Sequence, residues 1–319
     1  MRRHLLDSPI SYLAIYYTVR SFPRRLCRWM GQWVGWIVFL FSKTDRRNLS
    51  RNFSLALGRP AHHPAVQRAV RGVFRNYARY MVDFFLFPQL GAERVRSYFS
   101  TIQGEERLRQ ALAKGRGVVL VSAHVGNWEI GGNLLRVLGY PLTVVGLAHN
   151  TLRTNALVRH LRSMRGIEVI EVGASTFGAV EILNALRRNR IVAMIGDRDH
   201  LGTGRRVRFL GRQIKLPTGP VILSMLSGAA LIPTFVLEAP DGTYRGIIEA
   251  PIALEGDGNR DAAIHRNLAR LAGVFEHYIR RFPDQWYCPD PLSETSANPP
   301  DRPTEPDHAH FNLSGNLDG

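Results

Sequence analysis

The stretch Gly117-Val-Val-Leu-Val-Ser-Ala-His124-Val-Gly-Asn-Trp-Glu129 reads as a strand that ends in a histidine and turns sharply into a helix. A short apolar run bounded by a glycine fits a strand buried on both faces, as in a parallel sheet. Gly126 lets the backbone turn, and Asn127 is a good N-cap for a helix from Trp128 to about Leu138. His124 and Glu129, five positions apart at the strand's end, suit a general base and an orienting carboxylate. Taken alone, His-x4-Glu is more often a surface histidine beside a helix-start glutamate. The buried strand before it and the charged motifs after it favour chemistry.

Around this unit, strands and helices alternate from residue 104 onward. Helices are expected near 104–113, 151–164, 176–189, 219–228 and 261–281. Strands are expected at 118–123, 142–147, 167–172, 191–195 and 231–237, with a further one near 207–210. A strand at 244–250 pairs with 231–237 through the turn Pro240-Asp-Gly-Thr243. This alternation predicts an α/β fold, a mainly parallel central sheet covered by helices. The proline in Leu231-Ile-Pro233-Thr-Phe235 suggests an edge or a bulge. After Pro289 the chain is rich in Pro, Asp, Ser and Asn, so 289–319 reads as a disordered tail behind an enzymatic domain at 65–288.

The 319 residues carry a formal charge of +16, concentrated at one end: residues 1–80 hold 15 Lys/Arg against Asp7 and Asp45, a net +13. Residues 1–64 therefore read as a basic, aromatic, membrane-associating segment ahead of that domain. Ile10 to Val19 ends in Arg20-Ser-Phe-Pro-Arg-Arg25 and has no small-residue cleavage site, unlike an ordinary signal peptide. Trp29 to Phe41 carries Trp29, Trp33 and Trp36 but falls short of the roughly 20 residues that span a bilayer as a helix. It suits the headgroup region, with a tilted single span as the alternative. Downstream, Val66, Val70, Val73, Phe74, Tyr77, Met81, Phe84 and Phe85 share one helical face, opposite Arg68, Arg71, Arg75 and Arg79. A core helix with a solvated basic face would look the same. Beside the aromatic amino terminus, the arginines point to anionic lipid, and no nucleic-acid-binding motif accompanies them. Cys27 and Cys288 are too few for a disulfide framework.

Further charged clusters follow His124. Arg162-Ser-Met-Arg165-Gly166 ends a helix, where arginines either complement the dipole or clamp an anionic oxygen. Asp197-Arg198-Asp199-His200 follows the 191–195 strand, and ligands collect at strand ends of open α/β sheets. Phe209-Leu-Gly-Arg212 comes next, and Leu216-Pro-Thr-Gly-Pro220 gives a rigid entry to the following helix. No Gly-x-Ser-x-Gly is present and neither cysteine lies near the histidine in sequence, which disfavours an acyl-enzyme. Asp197-x-Asp199 also has the spacing of a metal-dependent glycosyltransferase, a rival that leaves the His124 motif unexplained. A non-catalytic anionic-lipid-binding protein is the other rival.

The ordered set resembles the His-x4-Asp/Glu glycerolipid and lipid A acyltransferases. Asp197-Arg-Asp199, the Gly204–Gly211 stretch, Leu216-Pro-Thr-Gly-Pro220, Gly228-Ala-Ala-Leu-Ile-Pro233 and Pro283-Asp-Gln-Trp-Tyr287 look like the branch of lipid A late acyltransferases and phosphatidylinositol mannoside acyltransferases, closer to the latter. Cys288-Pro-Asp-Pro291 stands where lipid A enzymes usually have a basic aromatic element. The resemblance covers roughly residues 65–290. It implies acyl transfer from acyl-CoA or an acyl-carrier protein to a hydroxyl of a lysophospholipid or glycolipid. His124 would be the base and Glu129 its partner, with Gly126, Asn127, Arg162, Arg165, Asp197, Arg198 and Asp199 at the substrates. The same reading places the protein at the cytoplasmic face of a bacterial inner membrane, peripheral or single-pass, and asks for no metal or redox cofactor.

Overall fold

A computed structural model describes residues 9–147, 152–173, 177–256 and 258–292. The tail expected at 289–319 falls almost wholly outside them. Four helices lead: α1 (Pro9–Ser21), α2 (Arg24–Phe41), α3 (Lys43–Leu57) and α4 (Pro64–Leu86). Then come α5 (Ala92–Ser97), β1 (Phe99–Gln103), α6 (Glu105–Leu112), β2 (Val118–Ser122), α7 (Trp128–Val137), β3 (Leu142–Leu147), α8 (Leu152–Ser163) and β4 (Glu168–Val172). The chain continues through α9 (Phe177–Arg187), β5 (Ile191–Ile195), β6 (Arg205–Phe209), β7 (Arg212–Leu216), α10 (Gly219–Ser227), β8 (Ala230–Glu238), β9 (Tyr244–Ile248) and α11 (Arg260–Arg281).

Seven strands form one sheet in the order β1-β9-β8-β2-β5-β3-β4, parallel at every pairing except β8 with β9. The strands read as near-continuous apolar runs because both faces are covered. Val119 and Val121 of β2 join Val192, Met194, Leu231 and Phe235 in a core shared with α9, α10 and α11. Val118 and Leu120 face the other way, with Ile191, Ile232 and Ile248, against α6. The α/β sheet expected from the sequence is the observed fold. Pro233 sits inside β8, not at an edge. It is the last β8 residue paired with β2, opposite Val121. The ring lacks an N–H, and the ladder ends there.

Two elements carry no apolar run and were not expected: β1, which pairs with β9, and β7, which closes an antiparallel hairpin with β6. Phe209-Leu-Gly-Arg212 is the turn of that hairpin, with Leu210 and Gly211 both at positive φ (51° and 79°). Its role is structural, the two-residue primed turn that matches strand twist. Leu210 is held there by its N–H, which donates to Glu276 Oε1 at 2.7 Å.

The amino-terminal helices pack on the sheet-bearing part. α2 lies along α4 so closely that a Cβ on Gly35 would sit 2.6 Å from the Phe74 carbonyl oxygen. Its inner side also carries Arg24 and Arg28. Arg24 makes two bonds of 2.8 Å to the fully buried Asp83 of α4. Arg28 bonds Asp83, Glu238 at the end of β8, and the Tyr244 hydroxyl. The outer side of α2 leaves Trp29, Trp33, Trp36 and Phe41 each more than half exposed, and Ile37 nearly so. No helix among the described residues is long and apolar enough to cross a membrane.

The apolar face expected on α4 is largely buried, and Arg68, Arg71 and Arg75 are exposed opposite it. Arg79 departs from that group. It bonds Asn76 Oδ1 at 2.7 Å and Glu238 Oε2 at 3.0 Å, which turns it inward to the buried carboxylate and away from any lipid.

Candidate active site

His124 stands just past the carboxyl end of β2. The turn after it requires Gly126, at φ 71°, because a Cβ there would fall 2.0 Å from the Val236 carbonyl oxygen. The Gly126 N–H donates to the Gln285 carbonyl and the Asn127 N–H to the Val236 carbonyl, both at 2.8 Å. These amides were expected near the substrate, but both are spent on holding the turn. The Asn127 side chain does not cap α7. It donates to the Tyr244 hydroxyl at 3.3 Å.

The carboxylate against His124 is Asp197, whose Oδ1 lies 2.6 Å from His124 Nδ1. β2 and β5 are parallel neighbours with Ser122 opposite Ile195. Each strand's residue two places on therefore meets the other. Burial alone would push the Asp197 pKa up; the His124 ring, Arg198 and the Trp286 indole together hold it well below the usual carboxylate range. Burial, reinforced by the Arg198 charge, lowers the His124 pKa from its ordinary value, with Asp197 opposing. The resting pair is thus an ionised carboxylate and a neutral imidazole. Its proton sits on Nδ1, which leaves Nε2, on the far side of the ring, as an available base. Arg198 Nε also lies 3.2 Å from Nδ1. One nitrogen cannot donate to Asp197 and accept from Arg198, so Arg198 acts there as a neighbouring charge, anchored by Nη2 to the Tyr287 carbonyl at 3.1 Å.

Glu129, expected as the partner of His124, instead accepts from Arg162 Nη2 at 2.9 Å. It lies in the first turn of α7, and Arg162 near the end of α8 reaches across to it. Arg165 faces elsewhere, bonding the carbonyls of Phe87 and Leu90. Asp199 Oδ2 accepts the Gly204 N–H at 2.8 Å, closing the loop before β6. The two carboxylates of Asp197-x-Asp199 are thus already engaged with separate protein partners. Burial pushes the Cys288 thiol up to about 12, a neutral group with no nucleophilic thiolate.

His124, Trp128, Glu129, Arg162, Arg198 and Asp199 line a cleft of about 720 Å³. Its remaining wall is mostly apolar. Tyr12 of α1 and Met81 and Phe84 of α4 form one part, and the Pro217–Pro220 segment another. A mainly apolar cavity with a few convergent polar groups beside one base suits an amphiphile whose reacting end is polar.

Comparison with known proteins agrees. The profile of the bacterial lipid A biosynthesis acyltransferases matches residues 4–288. The phosphatidylinositol mannoside acyltransferase of Mycobacterium tuberculosis is 31% identical over 221 residues, 68% of this chain and 67% of its own length. That of Mycolicibacterium smegmatis is 27% identical over 287 residues, 88% and 90% of the two chains. The lipid A biosynthesis palmitoleoyltransferase of Escherichia coli is 25% identical over 292 residues, 83% and 90%.

Proposed function

This chain belongs to the bacterial lipid A biosynthesis acyltransferase family, and on that premise we propose that it is a peripheral membrane enzyme that moves a fatty acyl chain from a thioester donor to a hydroxyl of a glycolipid or lysophospholipid. The observation that carries this reading is that His124, held through Nδ1 by Asp197, lines a large, mainly apolar cleft. The acceptor oxygen attacks the thioester carbonyl as His124 Nε2 takes its proton. Asp197 stabilises the imidazolium that results. The tetrahedral intermediate expels the thiolate, which recovers the proton from Nε2, and the products are an ester and a free thiol. With the Gly126 and Asn127 amides engaged, the cleft-lining cations that would stabilise the developing oxyanion are Arg162, bound to Glu129, and Arg198, bound to the Tyr287 carbonyl and Asp290, each carrying further guanidinium N–H groups.

The apolar, tryptophan-bearing side of α2 and the arginines 68, 71 and 75 of α4 support seating on an anionic bilayer, from which the lipid acceptor enters the cleft. The greater similarity to the mannoside enzymes favours a glycosylated phosphatidylinositol as acceptor. The test offers palmitoyl-CoA and a palmitoyl carrier protein to the purified protein on phosphatidylglycerol vesicles containing phosphatidylinositol mannosides, lipid A precursors or lysophospholipid. Mass spectrometry should show one palmitoyl mass added to one acceptor class, most strongly the mannosides. No transfer to any acceptor from either donor would overturn the reading.

A further inference from the structure

The segment Pro283-Asp-Gln-Trp-Tyr-Cys-Pro289 follows the last helix and runs against the His124 turn. Val125 and Trp286 form an antiparallel bridge. The Tyr287 N–H donates to the His124 carbonyl at 2.8 Å, and Gln285 receives the Gly126 amide. The segment is anchored from behind as well. The Tyr287 ring stacks on Tyr77 at 3.7 Å, Asn76 Nδ2 donates to the Asp284 carbonyl at 2.8 Å, and Asn52 Nδ2 donates to the Cys288 and Asp290 carbonyls, each at 2.8 Å. Its central side chain, Trp286, is fully buried and donates Nε1–H to Asp197 Oδ2 at 3.0 Å, while Oδ1 of the same carboxylate faces His124.

We propose that Trp286 is a positioning residue for the acyl transfer, fixing the Asp197 carboxylate so that its other oxygen meets His124 Nδ1. A carboxylate held at one oxygen only can rotate about its terminal torsion, which is broad and roughly two-fold. The indole donor removes that freedom and aims the lone pair of Oδ1 at the imidazole. The same bond tunes the base. It draws charge from the carboxylate, which weakens the pull of Asp197 on the imidazolium and keeps His124 neutral at lower pH. A tryptophan is suited to this place because the indole N–H is a donor only and cannot compete for the histidine proton. A buried indole N–H needs an acceptor in any role; here the acceptor it meets is the carboxylate that faces His124.

The inference rests on the His124–Asp197 reading, and the experiment separates the two. Trp286 is replaced by 3-benzothienylalanine, which keeps the ring shape and puts sulfur in place of N–H, and in parallel by phenylalanine. The full chain is assayed with palmitoyl-CoA on mannoside-containing vesicles, over a range of pH and beside Asp197→Asn. The isostere should melt with the wild type, lose roughly tenfold in kcat with KM unchanged, and move the acid limb of the kcat profile to higher pH. In an Asp197→Asn background it should cost nothing further, because its effect passes through the lost carboxylate. Trp286→Phe should lose at least as much kcat per folded molecule. An isostere with wild-type kcat and an unmoved acid limb, while Asp197→Asn is impaired, would show that Trp286 only packs. Wild-type turnover by Asp197→Asn would overturn both readings.

Discussion

Asp83→Ala should cost more stability than any substitution of a surface ion pair. Asp83 is fully buried and accepts from Arg24, Arg28 and the Tyr244 hydroxyl. Without it, Arg24 keeps one hydrogen-bond acceptor, the Gly242 carbonyl at 3.2–3.3 Å, beside the Tyr98 ring, and Arg28 keeps Glu238 and Tyr244. Removing one partner of a buried charge pair costs about 3–5 kcal/mol, because the other charge stays buried and unpaired. Total stabilities are only about 5–15 kcal/mol, so this is a large share. At roughly 2–4 °C per kcal/mol for a chain this large, Tm should fall by about 6–20 °C. The exposed Arg159–Glu171 pair, 62% and 32% accessible, is the control, and Arg159→Ala should cost under about 1 kcal/mol. Thermal melts followed by near-ultraviolet circular dichroism, with urea titrations of the same proteins, measure both. If Asp83→Ala melts within about 2 °C of the wild type, the cluster does not fasten α2 to the core and the reasoning fails.

Three further outcomes follow from the site and its surroundings. Because burial and Arg198 lower the His124 pKa, the base stays neutral below the ordinary imidazole value of about 6.5. The acid limb of kcat/KM should therefore fall below that pH, and a limb above it would contradict the assigned environment. Glu129→Ala and Arg162→Ala should each impair turnover but combine with little extra loss, since each removes the same 2.9 Å contact; fully additive losses in a double-mutant cycle would show that the pair does not act as a unit. Replacing Arg68, Arg71 and Arg75 with Gln should weaken binding to phosphatidylglycerol vesicles on the order of a hundredfold at low salt, from about 1 kcal/mol per cation, and much less in high salt. Equal binding by the triple variant in a sedimentation assay would leave those arginines as a solvated face.

The sheet was legible because strands buried on both faces need uninterrupted Val, Ile and Leu, and those runs survive in the bare sequence. β1 and β7 were not, since Phe-Ser-Thr-Ile-Gln and Arg-Gln-Ile-Lys-Leu owe their strand state to partners supplied by the fold. His124 was legible from its place after a strand, but its partner was not. The nearest carboxylate in sequence, Glu129, starts a helix and meets Arg162, whereas Asp197 arrives 73 residues later. Only strand order, with β2 beside β5 in register, brings the two together. The buried cluster at Asp83 had one sequence signal. A lone carboxylate in Tyr80-Met-Val-Asp-Phe-Phe-Leu86 is too costly to bury without cationic partners. The arginine row on α4 misled at Arg79 because helical spacing gives direction around the axis and not what lies opposite at each level.

The central claim is that His124, neutral and aimed by Asp197, is the base for acyl transfer to a membrane lipid. The most direct measurement is the rate of palmitoyl transfer from palmitoyl-CoA to vesicle-borne phosphatidylinositol mannoside by His124→Ala, in a preparation whose melting temperature matches the wild type. The account predicts a loss of roughly 10²–10⁴-fold in kcat. Wild-type turnover by that folded variant would contradict it.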